Sequence, residues 1–68
     1  MNEETLNLSI RKFLKMVGVN SQRAIEQAIA GGIANGAIAG TETLAVTVTL
    51  ASPSMALNVK FDGEIKLE

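Results

Sequence analysis

Apolar residues recur along the first half of the chain at helical spacing and along the second half at alternate positions. In "NEETLNLSIRKFLKMVG", Leu6, Ile10, Phe13, Leu14 and Val17 fall on one face of a 3.6-residue period. The spacing predicts a helix that Asn2 caps, with Glu3 and Glu4 in its first turn and Gly18 at its end. "NSQRAIEQAIAGGIANG" predicts a second helix, capped by Ser21. It carries an Ile25, Ile29, Ile33 ridge beside a smooth strip of Ala24, Ala28 and Gly32. Its end falls within Gly31–Gly36, with Gly36 after Asn35 as the natural stop.

After Gly40 the period becomes two. "TETLAVTVTL" places Leu44, Val46, Val48 and Leu50 on one face and Ala45, Thr47 and Thr49 on the other. "ASPS" reads as a turn and "MALNVKF" alternates again. "DG" reads as a second turn before "EIKLE". Closing the first hairpin around Ala51–Ser54 pairs Leu50 with Met55, Val48 with Leu57 and Val46 with Val59. A three-residue loop keeps the faces aligned in the second hairpin, either Phe61–Gly63 with Gly63 left-handed in a bulge, or Asp62–Glu64. The expected fold is therefore α+β and two-layered. An N-terminal helical hairpin packs on one face of a three-stranded antiparallel meander, in the order ααβββ.

Sixty-eight residues make one small domain, residues 1–68, with a marginal core. At 47% hydrophobic and 19% charged, the chain is too apolar for a disordered tail. There is no Cys and no His, which removes disulfides, thiolate chemistry and the usual zinc ligands. A core of this size is then completed by close packing, self-association, or both. The net charge of −1 gives no long-range pull on nucleic acid or anionic lipid. The opening "MNEETLNLS" lacks the basic and apolar run of a secretory leader, so cytoplasmic residence is the expectation.

Three motifs invite a functional reading. "GGIANGAIAG" has neither the order nor the spacing of a phosphate loop, and no Lys is near. Gly32, Gly36 and Gly40 form a tandem GxxxG, but the apolar run around them is too short for a membrane span. "FLKMVGVNSQRAIEQAI" resembles a helix-turn-helix with the following hairpin as a wing. Arg23 is the one basic residue of its second helix, where a groove reader needs several phosphate and base contacts. Weak DNA binding is thus the alternative reading, and nucleic acid is not the expected partner. Glu42, Asp62 and Glu64 gather near one end of the expected sheet, beside Lys60. Loop carboxylates of that kind are most simply solvated, and Arg11, Lys12 and Lys15 form a solvated helix face. No catalytic residue, cofactor or metal site is expected, and the chain is not read as an enzyme.

The interface candidates are Leu8, apolar on the polar side of the first helix, and Ala45, Thr47 and Thr49. The strand from Thr43 to Leu50 has no charge, Pro or Gly to protect an open edge. Antiparallel pairing with its copy would join two meanders into a six-stranded sheet, giving a homodimer. A seam at Leu8 or on a helix face is the rival.

The opening "MNEETLNLSIRKFLKMVGVNSQR", the middle "GAIAGTETL" and the ending "LNVKFDGEIKLE" together resemble a family of short bacterial proteins described as a domain of unknown function. The resemblance covers nearly the whole chain and supplies no activity, substrate or site residue. The functional expectation is a small non-enzymatic interaction or self-association module.

Overall fold

The computed structural model describes residues 1–68. The chain divides into two compact units, Met1–Ala37 and Ile38–Glu68. The first holds one helix, α1 (Glu3–Ala34). The second holds two strands, β1 (Thr43–Ser52) and β2 (Leu57–Lys66), joined by a 3₁₀ turn over Pro53–Met55. The class is α+β, with a single helix in place of the expected helical hairpin and a two-stranded sheet in place of the three-stranded meander.

The start of α1 follows the capping signal. The Asn2 side chain accepts the Thr5 N–H at 3.0 Å, and Glu3 and Glu4 occupy the first turn. The helix then continues through Gly18 and Ser21, the expected stop and start. A Gly inside a helix costs about 1 kcal/mol. Breaking the helix there would leave four C=O groups on one side and four N–H groups on the other in need of new partners. The large apolar ridge does shift, with Ile29 about a third of a turn round from Val17, while the small Ala24 and Ala28 stay in line with Leu6 and Val17. The end of α1 lies where expected. Asn35 caps it, and Gly36 follows at φ 83°, a region an L side chain rarely enters. The Asn35 side chain accepts the Ala37 N–H at 2.9 Å.

Strands β1 and β2 form one continuous antiparallel ladder from Thr43↔Lys66 to Ser52↔Leu57. Leu50 faces Val59, Val48 faces Phe61 and Val46 faces Gly63. Each partner lies four residues beyond the expected one. An even shift preserves side-chain parity, so the apolar face survives with different neighbours. The shift originates in the turn. Pro53, Ser54 and Met55 make a 3₁₀ turn and Ala56 takes the left-handed conformation, φ 50° and ψ 38°. Met55 therefore leaves the strand and is 68% exposed.

Asp62 and Gly63 do not turn. They lie within β2, opposite Thr47 and Val46, and the Thr47 hydroxyl donates to Asp62 Oδ1 at 2.8 Å. Gly63 has no positive φ and forms no bulge. A Cβ on Gly63 would meet Val46 Cγ1 at 3.8 Å, an ordinary contact, and one on Gly18 would meet nothing within 4 Å. Both positions accept a side chain. Gly18→Ala is expected to raise stability by about 0.4–1 kcal/mol. Gly63→Val, which a left-handed bulge would reject, is expected to be neutral or stabilising by up to about 1 kcal/mol. Urea melts followed by circular dichroism check both, and a clear loss at either position contradicts the continuous element it sits in.

No residue of either unit is buried. The helix keeps Val17, Ser21, Ile25, Ile29 and Gly32 half-buried, and the sheet does the same for Leu44, Val46, Leu50, Leu57 and Ile65. These rows mark the apolar face of each unit.

Candidate interaction surface

The ladder decides which backbone groups of the hairpin are free. In an antiparallel pair, successive residues alternate between those bonded to the partner strand and those facing away from it. The phase is set by the Leu67 N–H, which donates to the Glu42 C=O at 3.1 Å one pair beyond Thr43↔Lys66. The even positions of β1 therefore bond inward, to odd positions of β2. Thr43, Ala45, Thr47, Thr49 and Ala51 turn their N–H and C=O groups to the open side. On the other open side stand Asn58, Lys60, Asp62, Glu64 and Lys66.

Ala45, Thr47 and Thr49 thus share two properties. Their side chains lie on the polar face of the sheet, opposite Glu64, Asp62 and Lys60, and their backbone groups line its open edge. Leu8 belongs to the other unit. It is 62% exposed, on the side of α1 away from Val17 and near Lys12 and Lys15. The alternation in the sequence placed the three strand residues on one face. It did not show that the second open edge is charged, because the second strand was expected to stop before Asp62, at a turn over Phe61–Gly63 or Asp62–Glu64.

Two of the three carboxylates expected to gather are hydrogen-bonded elsewhere. Glu42 Oε1 accepts the Ala39 N–H at 2.6 Å, bracing the loop in which Gly40 has φ 89°. Asp62 accepts the Thr47 hydroxyl. No group of three His, Cys, Asp or Glu residues stands close enough to hold a metal ion.

The helix-turn-helix arrangement loses its turn, since "GVNS" is helical throughout. The tandem GxxxG is not one helix face either. Gly32 lies in α1, whereas Gly36 and Gly40 follow it with positive φ. No helix is long and apolar enough to cross a membrane.

No curated protein and no solved structure matches this chain. A family model does match, over residues 1–68, and it fits the resemblance carried by both ends of the sequence. The chain belongs to that family, the family of unknown function DUF6494.

Proposed function

We propose that this protein is a non-enzymatic self-association module whose working form is a homodimer in the cytoplasm. One observation carries the reading: taken separately, neither the helix unit nor the hairpin unit buries a residue, so the apolar face of each needs a cover. Phe61 is 56% exposed although it lies on the apolar face of β2. A two-stranded hairpin is marginal alone in water, and a lone helix draws most of its stability from a covered apolar face.

The test is solution mass by light scattering across a concentration series, with thermal melts in parallel. The expected mass is twice 7.1 kDa, and the expected melting midpoint rises with protein concentration. A monomer with a concentration-independent cooperative melt overturns the reading.

A further inference from the structure

We infer that the dimer seam is the open edge of β1, paired antiparallel with the same edge of a second copy about a two-fold axis at Thr47. The inference rests on the self-association reading and names its surface. The resulting sheet has four strands, in the order β2, β1, partner β1, partner β2. The six-stranded sheet expected from three-stranded subunits is ruled out by the two-stranded topology.

The two open edges of the hairpin differ in chemistry. The outward residues of β1 are Thr43, Ala45, Thr47, Thr49 and Ala51, and none is charged. The outward residues of β2 include Lys60, Asp62, Glu64 and Lys66. Charged residues on an edge strand oppose further pairing, because a new strand must desolvate them. Pro53 lies in the turn, outside β1. One edge is therefore guarded and the other is open over the whole strand.

The open edge is also self-complementary. Thr47 is the middle member of the outward set, so an axis through it lets every outward residue exchange both of its backbone bonds. Thr43 then meets Ala51 of the second copy, and Ala45 meets Thr49. The inward residues between them give Leu44 facing Leu50 and Val46 facing Val48. Each apolar side chain meets an apolar one, and each Thr or Ala meets a Thr or Ala. A closed two-fold arrangement of this kind removes the open edge and cannot grow into a fibre through it.

Amide hydrogen exchange on the intact protein reads the seam residue by residue, with solution mass measured on the same sample. A dimeric mass is expected, with the amides of Ala45, Thr47 and Thr49 exchanging at least tenfold more slowly than those of Lys60, Asp62 and Glu64. Two proline variants form the second arm. Thr47→Pro and Asp62→Pro each remove one outward N–H. Thr47→Pro also deletes the Thr47 hydroxyl, and Asp62→Pro deletes its carboxylate partner, so both lose the same cross-strand bond. The expected result is a two-fold drop in mass for Thr47→Pro and an unchanged mass for Asp62→Pro. A dimer whose Thr47 amide exchanges as fast as that of Asp62 overturns the seam and leaves self-association standing. Protection at Lys60, Asp62 and Glu64 moves the seam to β2 and likewise overturns it. A monomeric wild type overturns both readings.

Discussion

Ile25→Asp is expected to give a chain without a cooperative melt, while Leu8→Lys melts and assembles much as the wild type does. Ile25 lies in the row of half-buried positions that runs from Val17 through Ser21 to Ile29. Ile25 is half-buried, so replacing it removes about 1–2 kcal/mol of the roughly 1.5–3 kcal/mol that full burial of an Ile is worth. Holding a carboxylate on that face adds a desolvation cost of at least similar size. A domain of 68 residues has a total stability of about 3–10 kcal/mol. At the low end of that range, where a core this small places the chain, the change consumes most or all of it. Leu8 stands on the side of the helix opposite Val17, 62% exposed and beside Lys12 and Lys15. A surface change of that kind shifts stability by about 0.5 kcal/mol or less. Urea melts by circular dichroism and solution mass separate the two variants. A folded Leu8→Lys monomer would transfer the seam to the far side of α1, the rival location that the sequence itself suggested.

Signals that act over one or two turns of chain were readable without the structure. Asn2 caps the helix because its side-chain oxygen reaches an N–H three residues on, and Gly36 ends it because it tolerates a positive φ. The alternation of residues 44–50 placed Ala45, Thr47 and Thr49 opposite the apolar face, where they lie. The errors came where a local signal competed with a longer element. Gly18 followed by Ser21 has the form of a helix end and a helix start. The cost of one Gly is small against that of uncapping both sides, and that difference outweighs the local signal. Asp62–Gly63 has the composition of a tight turn, yet it is absorbed into a ten-residue strand because β1 offers a partner along its full length. The true turn was misplaced by a few residues for a related reason. It ends on Ala56 in the left-handed region, and Ala carries no signal for that conformation. The open edge needed one further fact, the Leu67 to Glu42 bond that sets the ladder's phase.

That phase makes a sharp distinction between two neighbouring positions. Val48 bonds inward to Phe61, whereas Thr47 faces out. Val48→Pro removes a ladder N–H and sets the proline ring against the partner strand. Proline in the middle of a sheet removes a ladder hydrogen bond and is found essentially only at edges or bulges. Since the hairpin has only two strands, no third strand holds it together once that bond is lost. Val48→Pro is therefore expected to abolish the strand signal and the cooperative melt. Thr47→Pro retains the internal ladder and loses mass without losing the strand signal. Far-ultraviolet circular dichroism beside light scattering distinguishes the outcomes. If Val48→Pro keeps its strands and Thr47→Pro loses them, the inward and outward sets are exchanged, and the seam at Thr47 falls with them.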